Sequence, residues 1–145
     1  AEEQAALEKQ KHAELFALAR NRPDADEHWA SEDEEWVGKA SMSCRHRFLT
    51  TRDLSWWWFN VLVFGLRDVE QLAAAITKLE HMQAAALAWA AAMQWSDSVG
   101  LYFHCYGHAS VNSLHLHIVD LAAGGPSLAR CTHKNLPIDA ALLVL

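Results

Sequence analysis

Lysine and arginine are missing from residues 24–35, a stretch that holds seven acids: Asp24, Asp26, Glu27, Glu32, Asp33, Glu34 and Glu35. The chain carries a formal net charge of −6, with 12 basic and 18 acidic residues. Outside that stretch 12 basic residues face the remaining 11 acidic ones, so the rest of the chain is close to neutral. No stripe of basic side chains stands ready to grip a nucleic-acid backbone. Nucleic acid is therefore not the expected partner, whereas a small anionic ligand needs only a few local donors. Cysteine is also sparse. Cys44, Cys105 and Cys131 are an odd, widely spaced set with no CxxC pair, which argues against a disulfide framework. The expected setting is a reducing, intracellular one, cytoplasm or nucleus, with an organelle left open. Long apolar runs are lacking as well. The run Phe59–Leu66 is too short to cross a bilayer and contains Asn60, so no membrane partner is expected. No signal peptide and no internal repeat are evident. The chain starts without Met, which fits a processed or trimmed N-terminus.

What the chain does have is core-forming material. Its 145 residues are 52% hydrophobic, a normal size and composition for one folded domain. Residues 2–20 read as a helix, with acids leading and Arg20 closing in agreement with the helix dipole. Asn21-Arg22-Pro23-Asp24 is a stop and turn. The acidic stretch 24–35 reads as a solvated linker, so 1–35 is expected to be an N-terminal helix with a linker and 36–145 the main domain. Residues 46–51 and 57–64 read as strands, rich in β-branched and aromatic side chains. Asp68-Val-Glu-Gln71 has the form of a capping box. It opens a long helix over about 68–94, with Leu72, Ala75, Ile76, Leu79, Met82, Ala86, Trp89 and Met93 as its apolar stripe. Residues 99–105 and 110–119 read as two more strands, joined as a hairpin through Gly107 and His108. Gly124-Gly125-Pro126 breaks the chain, and Pro137 opens a short last helix. The expected class is α+β, an antiparallel sheet with one long helix packed on it.

Other residues carry weaker signals. Trp56, Trp57, Trp58 and Phe59 alternate faces, so one pair is expected in the core and the other is a candidate surface patch. Cys44 and Cys105 read as small buried hydrophobes. His12, His28, His81 and His133 lie in helical or polar contexts and read as surface residues.

The densest chemistry lies in residues 111–119, Val-Asn-Ser-Leu-His-Leu-His-Ile-Val. In a strand, side chains alternate between faces, about 6.5–7 Å apart along each face. Ser113, His115 and His117 then share one face, while Leu114, Leu116 and Ile118 enter a core. Four of the chain's nine histidines (His104, His108, His115, His117) fall within fourteen residues. Two imidazoles and a hydroxyl on one face suit a phosphate group or a metal ion.

The segment SVNSLHLHIV resembles the signature of the histidine-triad (HIT) nucleotide hydrolases and transferases, His-φ-His-φ-His-φ-φ. Tyr102-Phe103-His104, upstream of it, resembles the Gly-Phe-His segment of the Hint-like branch. Arg45-His46-Arg47-Phe48-Leu49 resembles the Arg-His-His-Trp-Leu strand of the aprataxin branch. The likeness covers about residues 36–145 and is specific at 102–119. It implies that His115 is the nucleophile, that His117 contacts the phosphate, and that His46 supports the nucleophile's neighbour. It further implies phosphate or substrate contacts from Ser110, from His104 on the neighbouring strand, and from Ser113, which stands where the family has its first histidine. The implied activity is release of a nucleoside monophosphate from a leaving group through a nucleotidyl-histidine intermediate, on a small nucleotide substrate and without a cofactor. A homodimer or another protein partner stays open. Two alternatives stand beside this reading. One is a catalytically inactive HIT-like fold used as a binding or structural subunit, favoured by Ser113, by the unrecognisable base-binding strands and by the tryptophan-rich insertion. The other is a metal site of His104, His115 and His117, for which no carboxylate or cysteine stands in obvious register.

Overall fold

The structure, a computed structural model, describes residues 1–56, 66–105 and 113–145. The expected strand 57–64, most of the tryptophan cluster, the turn at Gly107 and His108, and Ser110 lie outside the described residues. In chain order the elements are α1 (Glu2–Glu8), β1 (Phe16–Ala19), α2 (Pro23–Glu27), β2 (His46–Thr51), α3 (Val69–Ala92), β3 (Val99–His104), β4 (His115–Asp120), α4 (Pro126–Arg130), β5 (Asn135–Pro137) and α5 (Ile138–Val144). The described strands form one five-stranded sheet in the order β1-β2-β4-β3-β5, with every neighbouring pair antiparallel. The class is the expected α+β.

Period-two alternation gives the sheet two different faces. Leu49, Leu101, Phe103, Leu114, Leu116 and Ile118 enter one buried cluster with Ala75, Leu79, Met82, Ala86 and Trp89 of α3. Asp68 caps α3 by accepting from the Gln71 amide, and the Gln71 side chain accepts in return from the Arg67 amide. Burying such a stripe contributes about 1.5–3 kcal/mol per large side chain. On the opposite face Val119 is buried with Met42 and Cys131, while Leu121, Leu128 and Tyr102 pack alongside.

Three sequence expectations are corrected. The helix over 2–20 stops at Glu8: His12 takes a left-handed backbone (φ 66°), and Phe16–Ala19 becomes an edge strand paired with β2. Helix propensity favours continuation, but Phe16 becomes fully buried only as part of the sheet, and that burial outweighs a few tenths of a kcal/mol per residue. The acidic stretch is not wholly solvated. Asp24, Asp26 and Glu27 lie in α2, where Ala25 is buried and its carbonyl accepts from the Ser41 amide, whereas residues 32–35 are exposed as expected. Cys44 is exposed, not buried, and Cys105 is half-buried. Two short elements, α4 and β5, had no periodic signal to announce them.

The α2 side of the molecule docks closely onto the start of α4. The Gly125 amide donates to the Met42 carbonyl at 2.9 Å, and a Cβ placed on Gly125 would stand 2.0 Å from the Trp29 carbonyl oxygen. Backbone cannot yield as a side-chain tip does. Gly125→Ala is therefore expected to destabilise the fold by about 1–3 kcal/mol in chemical denaturation. Leu143→Ala, at a position 88% exposed, should stay within about 0.5 kcal/mol. Equal stability of the two variants would contradict this docking.

Candidate functional site

Strand pairing brings the histidines together. His46 opens β2, His104 closes β3, and His115 and His117 lie on β4. In register, Phe48 and Tyr102 flank His117 on either side, and Thr50 stands opposite His115. The side chains share the sheet face turned away from α3. They line a cavity of about 550 Å³ whose walls include Asn21, Lys39, Ala40, Met42, Phe48, Ser113, Cys131 and Lys134. Ser113 is exposed at its mouth. His46, His104, His115, His117 and Ser113 thus line one cavity; Ser110 lies outside the described residues.

Hydrogen-bond directions follow from one donor that cannot reverse. The Met42 backbone N–H donates to His46 Nδ1 at 3.0 Å, so that nitrogen holds a lone pair and the neutral ring carries its proton on Nε2. His46 Nε2 lies 2.9 Å from His117 Nδ1 and donates to it. His117 Nδ1 is then an acceptor, and its proton sits on Nε2, a buried atom with no hydrogen-bond partner among the described residues. His115 is assigned by the same logic. Its Nδ1 lies 2.8 Å from the Ser113 carbonyl, which can only accept, so Nδ1 carries the hydrogen and Nε2 keeps a lone pair. The site therefore offers one nitrogen lone pair on His115 and one N–H on His117. His104 stacks on His117 with ring centroids 3.7 Å apart and 28° between planes, and its buried Nε2 likewise has no hydrogen-bond partner among the described residues.

Burial sets the charge state. It pushes the His46 pKa down from 6.5 to about 3, helped by the neighbouring His104, and that of His104 to about 4, helped by Lys134. His117 falls well below 6.5, and His115 is lowered too, although the Ser113 carbonyl favours its charged form. All four rings are neutral at pH 7. The cationic groups in the cavity are Lys39 and Lys134, and no described lining residue is a carboxylate. An acidic chain thus keeps a locally positive pocket, which favours an anion.

The ring nitrogens of His104, His115 and His117 lie within 4.8 Å of one another, near enough to share a metal ion. The hydrogen-bond directions oppose it. Ligation by His117 Nε2 would move its proton to Nδ1, where it would meet the His46 Nε2–H. Relieving that by turning His46 into the other tautomer would set its Nδ1–H against the Met42 N–H. The same directions suit an oxyanion, which accepts the free N–H.

Sequence reasoning missed Asn21, Ser41, Phe48, Lys39 and Lys134. Phe48 was visible as the third residue of the His46 strand, on its histidine face. The others come from loops or distant segments and carried no local signal. No family model, curated protein or solved structure matches this chain.

The buried neutral histidines carry a consequence for stability. Unfolded, each binds a proton near pH 6.5; folded, His46 and His104 do so only near 3 and 4. The unfolded chain therefore binds more protons in that window, and stability present above pH 6.5 is lost as the pH falls. Urea unfolding between pH 6.5 and 5, above most carboxylate titration, should show a loss of up to about 1.4 kcal/mol per pH unit for each such imidazole. His104→Gln should flatten that slope by one proton's share. A flat profile in the wild-type protein would mean the rings are not held neutral.

Proposed function

We propose that the cavity binds a small phosphate-bearing substrate, a nucleoside monophosphate joined to a leaving group, and transfers the phosphoryl centre through His115. The observation that supports this most is the pairing of a lone pair on His115 Nε2, set by the Ser113 carbonyl, with a hydrogen on His117 Nε2, set through His46 by the Met42 N–H. The pocket's positive charge accounts for the phosphate; the nucleoside follows from the resemblance to the histidine-triad family.

In this reading the His115 Nε2 lone pair attacks phosphorus. A nitrogen–phosphorus bond forms as the bond to the leaving group breaks. The leaving group departs with the electron pair and takes a proton from solvent. The His117 Nε2–H donates to a non-bridging oxygen, and Lys134 and Lys39 offset its charge. The positive charge that develops on His115 is stabilised by the Ser113 carbonyl on Nδ1. Water then attacks phosphorus, the electron pair returns to Nε2, a proton is released to solvent, and the nucleoside monophosphate leaves. Ser113 need not replace an imidazole for this, because its main-chain oxygen makes the contact. The second reading, an inactive subunit of the same fold, is favoured by the exposed Ser113 hydroxyl, for which no contact with His115 or His117 is seen.

Hydrolysis of adenosine and guanosine 5′-phosphoramidates, measured beside AMP and GMP titrations, separates these readings. Wild type should turn over with an acid limb below pH 6.5, where neutral His115 is lost, and His115→Ala should lose at least about a thousandfold in rate. Equal background rates with nucleotide binding retained would leave only the inactive reading. Absence of any nucleotide binding would overturn the enzyme reading and leave a structural or interaction subunit.

A further inference from the structure

We propose that Asp26 is a positioning residue that works through Ser41 and Asn21 to hold the proton of His117 on Nε2, the nitrogen that His46 does not engage. This rests on the phosphate-transfer reading for its purpose, but on geometry alone for its existence. Asp26 lies in α2, in the acidic stretch that the sequence presents as a linker. Its Oδ1 accepts the Ser41 hydroxyl at 2.5 Å, while its Oδ2 is held by Arg20 at 3.3 Å and Arg47 at 3.7 Å. Arg47 is in turn clamped by Glu3, so the carboxylate has a fixed place.

A carboxylate accepts only, so the fully buried Ser41 must spend its hydrogen on Asp26. The Ser41 oxygen can then only accept from the group on its other side. That group is the Asn21 side chain, 2.7 Å away, which must present its NH₂ and not its carbonyl. The same nitrogen lies 3.4 Å from His46 Nδ1. A second donor therefore joins the Met42 N–H at that lone pair, and both push the His46 proton to Nε2 and onward toward His117. With Asp26 neutral and able to donate, the Ser41 hydroxyl can turn toward Asn21, which then flips. Its carbonyl oxygen would face the His46 lone pair and favour the opposite tautomer.

Imidazole ¹⁵N shifts of the full chain at pH 7 read the tautomers directly and need no ligand. Wild type should show Nε2–H at both His46 and His117. Asp26→Asn and Asn21→Asp should each shift the His46 tautomer ratio about tenfold toward Nδ1–H, the size expected for one lost or opposed hydrogen bond. His117 should follow, with the amide spectrum of the sheet retained. Where one variant fails to fold, the other decides; the wild-type spectrum is a test in itself. Unchanged ratios in a folded variant, or Nδ1–H on wild-type His117, would overturn the proposal. Because phosphoramidate hydrolysis is measured separately, loss of that activity in wild type would sink the functional reading without touching this one.

Discussion

The hydrogen bond from the Met42 backbone to His46 Nδ1 governs the site. A main-chain N–H has one direction, unlike a hydroxyl or a second imidazole, so it breaks the symmetry of a chain of rings that could otherwise carry their protons either way. The surrounding backbone is held to keep that donor in place. The Ser41 amide donates to the Ala25 carbonyl, the Met42 carbonyl accepts from Gly125, and the Ser43 hydroxyl donates to the Asp120 carbonyl. Three separate segments thus meet around one residue pair, and the N–H on the buried His117 is the end of that ordering.

The sheet divides the work between its faces. One face is apolar and closes against α3, giving the strands a rigid support; the other carries the polar rings of the cavity beside Lys39, Ala40 and Met42. Keeping imidazoles neutral in that layer costs stability in acid, but it leaves a lone pair on His115 at neutral pH and a buried setting in which one N–H counts for more than it would in water. The charges are sorted in the same sense. Acids 32–35 are exposed, Asp26 is neutralised by arginines, and the lysines border the cavity. The molecule is acidic as a whole and cationic where an anion would enter.

Much of this was legible along single strands. The alternation at 113–118 placed the histidines and leucines on opposite faces correctly, because pleat geometry is local. Strand 46–51 and the capped helix from Asp68 followed for the same reason. The edge strand at 16–19 was not legible, since FALA within a helix-favouring stretch becomes a strand only when a neighbour offers it a ladder. Ser113 shows the limit from the other side. As a side chain it looked like the loss of a triad member, yet its main-chain carbonyl holds His115, and main-chain atoms carry no signature in the amino-acid code.

The amino-acid order by itself determined the α+β class, the long helix, the two-faced strand and the identity of the rings that could do chemistry, since each depends on periodicities of two or 3.6 residues. Tertiary structure alone decided where the protons sit. Met42 and Asn21 meet His46, Ser41 and Asp26 stand behind Asn21, and His46 meets His117 seventy-one positions away, only after β2 pairs with β4 and the acidic segment folds back over them. A tautomer is set by what stands within about 3 Å of a nitrogen, and neighbours at that range come from the fold, not from the order of the chain.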